Sequence, residues 1–394
     1  MRLADRVIDI GTETAFEAAA RARALEATGR HVIHLEIGEP DFDTPANVRA
    51  AAKQALDEGW THYGPYLGLP QLREAIAADS TARRGFTVDP ANVVVTPGAK
   101  PIMFYALLAL AQAGDEVIYP DPGFPIYESM TRFVGATPVR LPIREENDYR
   151  LDVDELRGLV TDRTRLIIFN SPANPTGGVL TRSDLEAIAD VARERDLVVL
   201  ADEIYMRILY DGTEHLSIAA FPGMAERTIV LDGFSKTYAM TGWRLGYAVL
   251  PPALVAAYGR LIINSVSCVA TFAQLAAVEA LVGPQDAVEA MVTEFAARRD
   301  LIVAGLNDIP GVTCRTPHGA FYAFPNVAGT GLDGPRMADR LLHEGGVAVL
   351  SGTAFGHVGA DHLRVSYANS RENLRLALER FSEVVSGLSR TAAA

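Results

Sequence analysis

Residues 232–247 read Asp-Gly-Phe-Ser-Lys-Thr-Tyr-Ala-Met-Thr-Gly-Trp-Arg-Leu-Gly-Tyr, and the chain on either side is best understood as a scaffold around them. Lys236 sits in a loop of small residues after the apolar-rich run Thr228–Leu231. Arg244, eight positions later, stands at the start of a second apolar run, Leu245–Leu250. An apolar setting strips water from an ammonium group, lowers its pKa and makes the neutral amine available as nucleophile or base. An arginine nearby offers a planar, permanently charged fork suited to phosphate. Amine and phosphate clamp together suggest pyridoxal 5'-phosphate, which joins a lysine as a Schiff base and carries a phosphate at its other end.

A lone lysine is most often a solvated surface charge. This one belongs to a longer pattern. Ser235-Lys236, followed by Met240-Thr241-Gly242-Trp243-Arg244-Leu245-Gly246-Tyr247, resembles the cofactor-lysine signature of the class I/II aminotransferases, the fold-type I pyridoxal-phosphate enzymes, and the aspartate aminotransferase-like subgroup looks closest. The resemblance implies an α/β fold: a large domain with a mostly parallel seven-stranded sheet between helices, plus a smaller α+β domain. It also implies a homodimeric transaminase acting on small amino acids and 2-oxo acids.

The bulk properties agree with a soluble enzyme. The chain has 394 residues, 49% hydrophobic and 22% charged, enough for a large core and two domains. A net charge of −13 argues against nucleic acid or an anionic membrane surface as partner. Cys268 and Cys314 lack metal-ligand or CxxC spacing and read as free thiols of a reducing compartment. Met1-Arg-Leu-Ala-Asp-Arg has no signal-peptide character, and the longest apolar segment, Ile102–Ala111, is too short to span a bilayer. A cytoplasmic protein without metal is expected.

Upstream of Lys236, an Ala/Glu/Arg-rich helix is expected over Thr14–Thr28, then an extended run Val32–Ile37. Gly38-Glu39-Pro40-Asp41-Phe42-Asp43-Thr44-Pro45 is punctuated as a loop, with Thr44-Pro45 capping a helix to about Glu58. By resemblance this loop lies over the active site, and Gly38 meets the substrate carboxylate. By resemblance too, Tyr63 in the aromatic loop Thr61–Pro70 reaches the cofactor phosphate of a partner subunit. Strand Asn92–Thr96, the turn Pro97-Gly98-Ala99-Lys100 and helix Ile102–Ala111 form a strand–turn–helix, whose helix N-terminus favours an anion. The resemblance puts the cofactor phosphate on Gly98, Ala99 and Lys100. Phe124, in the loop Pro120–Tyr127, stands where the family stacks an aromatic ring on the cofactor.

Asn170-Ser171-Pro172-Ala173-Asn174-Pro175-Thr176-Gly177-Gly178 follows the strand Arg165–Phe169, at the carboxyl end where open α/β sheets bind ligands. Asn174 is a candidate donor to the cofactor's phenolic oxygen. Leu197–Ala201 is an unbroken apolar strand of the buried parallel type. It ends in Asp202-Glu203-Ile204-Tyr205, and an aspartate there is costly unless paired. A protonated pyridine nitrogen is a suitable partner for Asp202; Tyr205 is a second donor beside Asn174, and Glu203 serves structure.

Past Tyr247 the pattern turns to helices Pro252–Asn264, Thr271–Leu281 and Gln285–Asn307. Short strands come next, near Val312–Arg315, Phe321–Phe324, Val347–Leu350 and His362–Ser366, with helices near Arg336–Glu344 and from Arg371. This places a boundary near Gly283-Pro284: residues 46–284 form the large cofactor domain, residues 285–394 the small one, and residues 1–45 join the small domain and the active-site loop. Arg364, inside an alternating strand, is by resemblance the residue that grips the substrate α-carboxylate in a bidentate pair, which lysine cannot supply.

The expected reaction is a ping-pong amino transfer in which Lys236 moves the Cα proton. Ser235, Arg244 and the 98–100 turn hold the phosphate. In the aspartate aminotransferase subgroup a lysine at the position of Lys100 reads a distal carboxylate, which favours aspartate, glutamate and 2-oxoglutarate. Ala99 in place of a second glycine, and Phe124 in place of tryptophan, keep alanine, aromatic and kynurenine-type substrates open. A pyridoxal-phosphate β-lyase (C–S lyase) would share the same lysine, aspartate and arginine. A transcription regulator of this kind would need a DNA-binding domain in front, and a non-catalytic binder would leave the catalytic set without a role.

Overall fold

The computed structural model describes residues 3–8, 10–11 and 14–392. Ile33–His34 (β1) lies apart from the main sheet. That sheet is built from Val93–Thr96 (β2), Glu116–Asp121 (β3), Thr137–Pro142 (β4), Thr164–Asn170 (β5), Val198–Asp202 (β6), Thr228–Gly233 (β7) and Gly246–Val249 (β8). Their order is β2-β8-β7-β6-β5-β3-β4. A sheet covered by helices on both faces needs apolar residues on both. Every residue of β2, β7 and β8 is accordingly buried.

Strand direction decides where the loops gather. The strands from β3 to β7 pair in parallel with their neighbours, β4 included. β8 runs antiparallel to both β7 and β2, so β2 again points with the majority. Six carboxyl ends and the amino end of β8 therefore share one edge of the sheet. Loops leaving that edge carry Gly98, Phe124, Asn174 and Lys236, and the loop entering β8 carries Arg244.

Four further segments complete the described strands: Tyr322–Ala323 (β9), Val347–Ala348 (β10), Leu350–Ser351 (β11) and Leu363–Ser366 (β12), which lies between β9 and β11. β1 pairs in parallel with β10, matching Ile33 to Val347. The Ser366 N–H donates to the Leu35 carbonyl at 2.9 Å, so the first strand is stitched to the last third of the chain. The helices Asp286–Asn307 and Arg371–Ala392 pack together on this side.

Three local expectations are corrected. Val312–Arg315 is not a strand: Asn307 occupies both the N–H and the carbonyl of Cys314 with its side-chain amide, leaving one bridge, Thr313 to Asn326. Val347–Leu350 breaks at Val349, because Val347 pairs with Ile33 while Leu350 turns to pair with Arg364. Thr44 does not cap the helix Ala46–Asp57; its hydroxyl donates to the Ala239 carbonyl at 2.7 Å and accepts from Trp243 Nε1 at 2.9 Å. That pair ties the 38–45 loop to the lysine loop instead. At the carboxyl terminus, expected to fray from Thr391, the helix runs to Ala392; the last two residues lie outside the described ones.

Candidate active site

At the edge where the strands end, a cavity of about 500 Å³ opens, within the size range of small-molecule sites. Lys236, Asp202, Asn174, Phe124, Lys100 and Arg364 all line it, as do Gly38, Ala99, Tyr205, Ser235 and Arg244. The structure thus brings together every residue singled out from the sequence except Gly98, which lies directly behind Arg244, and Tyr63. Tyr63 is 90% exposed and sits in a separate surface hollow with Trp60 and Phe272.

One corner is made for an anion. Gly98 has φ +87°, and a Cβ there would lie 2.3 Å from Arg244 Nη2; the fork of Arg244 fills the space that a side chain would need. Thr96 Oγ1 donates to the Gly98 carbonyl at 2.7 Å and closes the turn. The helix Lys100–Leu110 starts there, with the positive end of its dipole at the cavity. Arg244 has φ 54°, a conformation costing a non-glycine residue about 1–3 kcal/mol. Its Nη1 donates to the Thr241 carbonyl at 2.8 Å.

The floor is a carboxylate. Asp202 ends β6 and is buried. Tyr127 Oη donates to its Oδ2 at 2.7 Å and the Ile204 N–H to its Oδ1 at 3.3 Å. Burial pushes its pKa up to about 7, against the pull of those two donors. Behind it lies a separate buried network. Arg84 donates to Glu203 at 2.7 Å and to Asp232 at 2.6 Å; Tyr247 adds a bond to Asp232 and Ser217 one to Glu203. Burial would raise Glu203, but the charges of His215 and Arg84 hold it down to about 2. Breaking such a buried pair costs about 3–5 kcal/mol, so Glu203 and Asp232 brace the strand ends rather than face the cavity.

The half-buried Lys236 donates from Nζ to the Gly38 carbonyl at 2.5 Å. The nitrogen lies 5.8 Å from the Phe321 ring centre and 6.0 Å from that of Tyr205. Tyr205 is buried, and its hydroxyl meets that of Tyr322 at 2.7 Å. Burial, with Tyr322 beside it, pushes the Tyr205 phenol well above its ordinary range.

Arg364 points inward from β12 and is buried. Its Nη2 donates to the Glu36 carbonyl at 2.5 Å and its Nη1 to Asn174 Oδ1 at 3.2 Å. Guanidinium nitrogens only donate, so the Asn174 oxygen must face Arg364, and its Nδ2 is turned elsewhere. The Asn174 N–H is itself held by Asn170 Oδ1 at 2.7 Å. The rings of Tyr322 and Phe355 lie 4.6 and 4.9 Å from the Arg364 guanidinium carbon and hold its plane by cation–π contact. Lys100 Nζ lies 5.7 Å from the ring centre of Phe124 and 6.0 Å from that of Phe16.

Among the residues that shape the site, Tyr127, Tyr322, Phe355 and Phe16 went unassigned in the sequence. Tyr127 closes the loop after β3, and its only signal was its place in a constrained Gly-Phe-Pro-Ile-Tyr run. Phe16 lies in the helix Thr14–Glu26 and is 64% exposed.

The family model described as "Aminotransferase class I and II" matches residues 30–381. An aspartate aminotransferase of Pyrococcus abyssi is 45% identical over 92% of this chain and 93% of its own length. An aromatic-amino-acid aminotransferase 2 of Thermococcus litoralis is 43% identical over 90% and 92%. The crystal structure of an aspartate aminotransferase from Rhizobium meliloti superposes with a TM-score of 0.94 at 37% identity, covering 98% of this chain and 99% of that one.

Proposed function

The chain belongs to the class I and II aminotransferases and is a transaminase, and from that premise we propose that it moves the amino group of a dicarboxylic L-amino acid, aspartate or glutamate, to a 2-oxo acid such as 2-oxoglutarate, with pyridoxal 5'-phosphate as cofactor. The meeting of Lys236, Asp202 and Arg364 in one cavity carries this proposal. The residues present fit the cofactor. The glycine cradle at residue 98, filled by the Arg244 fork, would take its phosphate together with Ser235, Ala99 and Lys100. The buried Asp202 carboxylate would face the ring nitrogen, Phe124 the ring, and Asn174 Nδ2 and Tyr205 Oη the phenolic oxygen. When bound, pyridoxal phosphate supplies a carbonyl carbon for the amino group and a ring that accepts the electron pair left at Cα.

The protein's own part is positioning and proton transfer. Arg364 binds the α-carboxylate through its fork, whose plane is already set by Asn174, Glu36 and two aromatic faces. Lys236 Nζ takes the Cα proton and later returns one, so that amino acid and oxo acid use the same cavity in turn. Lys100 meets the distal carboxylate. Phe16 and Phe124, both within 6.0 Å of Lys100 Nζ, favour a second reading, aromatic side chains, which the Thermococcus relative supports. The chain would divide near Gly283-Pro284, with residues 285–394 and the N-terminal 1–45 closing over residues 46–284. The β1–β10 pairing supports that grouping. The exposed Tyr63 would complete the anion corner of a second copy in a homodimer. No helix among the described residues is long and apolar enough to cross a membrane, and a cytoplasmic location fits the two free cysteines.

Visible spectra of the loaded protein test the substrate. The band is expected to bleach with glutamate or aspartate and to return with 2-oxoglutarate. Bleaching by phenylalanine or tyrosine but not aspartate would select the aromatic reading.

Asp202 gives a pH test of the cofactor-free protein. Its pKa rises from 3.8 to about 7 on folding. Between those values the folded chain holds a proton that the unfolded chain has lost, so stability falls as pH rises through the window. From pH 4 to 7 the melting temperature of the wild type should fall relative to that of Asp202→Asn, which lacks this component. Parallel slopes for the two proteins would show that Asp202 does not titrate there.

A further inference from the structure

Tyr322 lies in a strand of two residues and reaches three groups of the site at once. Its hydroxyl is 2.7 Å from that of Tyr205. Its ring lies 4.6 Å from the Arg364 guanidinium carbon. A Cβ on Gly38 would come within 2.2 Å of its oxygen, so Tyr322 also fills the space beside the carbonyl that Lys236 holds.

Each phenol has one proton to give. In the proposed function the Tyr205 proton goes to the phenolic oxygen of the cofactor. The 2.7 Å contact can then be a hydrogen bond only if Tyr322 is the donor and Tyr205 the acceptor. Two O–H bonds in series polarise one another, so the outer one strengthens the inner. We propose that Tyr322 is a positioning residue for amino transfer that donates to Tyr205, sharpens Tyr205 as a donor to the cofactor oxygen, and with its ring independently holds the plane of Arg364. This rests on the proposed function and adds a relay to it.

The two roles separate by substitution. Tyr322→Phe removes the hydroxyl and keeps the ring. A strong donor at the phenolic oxygen favours the more negatively charged, deprotonated state of the bound cofactor and keeps the titration midpoint of the visible band low. Losing the relay should therefore move that midpoint upward in Tyr322→Phe by about half a pH unit, with KM for the amino acid within about twofold of wild type. Tyr322→Leu, lacking the ring as well, should also raise KM, by about tenfold. In a Tyr205→Phe background, adding Tyr322→Phe should leave the midpoint where Tyr205→Phe put it, because the relay then has no second member. An unmoved midpoint in Tyr322→Phe, or a shift that repeats in full in the double variant, would overturn the relay. A wild-type protein that shows no visible band with added pyridoxal phosphate would remove the proposed function and the relay together, a failure seen before any variant is compared.

Discussion

Lys236→Ala is expected to lower turnover about 10⁴-fold, the upper end of the contribution of a positioned acid–base group, while leaving the protein folded. The side chain belongs to no sheet: β7 ends at Gly233, and the bond from Nζ runs to the Gly38 carbonyl across the cavity. Its loss removes the amine set between Gly38 and the rings of Tyr205 and Phe321. Stopped-flow mixing of the loaded variant with glutamate measures the effect, and circular dichroism checks the fold. A small amine such as methylamine, able to enter the space left by truncation, should restore part of the rate. Full turnover with unchanged spectra would refute the role of Lys236.

The second large effect falls on Arg364. Arg364→Lys should lower kcat/KM for amino acids by about 10²-fold, and Arg364→Ala by about 10³-fold, the range for truncating one member of a buried, hydrogen-bonded charge pair. Lysine keeps the charge but not the fork, and it cannot bond Asn174 and Glu36 at once in one plane as the guanidinium does. Steady-state kinetics over a substrate series should put most of the loss in KM. An amine without an α-carboxylate should react equally slowly with wild type and variants; an equal loss for that amine would mean that Arg364 supports structure instead.

Much of this was legible in the sequence because the decisive residues stand in runs with few alternatives. Asp202 follows an unbroken apolar strand, Asn174 lies in a loop fixed by proline and glycine, and Lys236 and Arg244 share one motif. The seven-stranded sheet itself was expected from resemblance, not from periodicity. What escaped depends on partners remote in the chain. Tyr127 serves Asp202 from 75 residues away and Tyr322 serves Tyr205 from 117, so nothing local ties either to its partner. Tyr322 also sits in a two-residue strand, too short to show a period of two. The break at Val349 has the same origin, because Leu350 pairs with Arg364; the lost strand at 312–315 is a local effect, decided by the Asn307 amide seven residues before Cys314.

The stitching of β1 to β10 bears on how the chain comes to life on the ribosome. Ile33 emerges early and must wait for Val347, and the Glu36 carbonyl must wait for Arg364. The residues of the main sheet, which ends at Val249, are all synthesised before either partner exists. For most of translation the nascent protein therefore carries an unpaired N-terminal edge, and Arg364, the proposed substrate grip, is among the last parts of the cavity to be made.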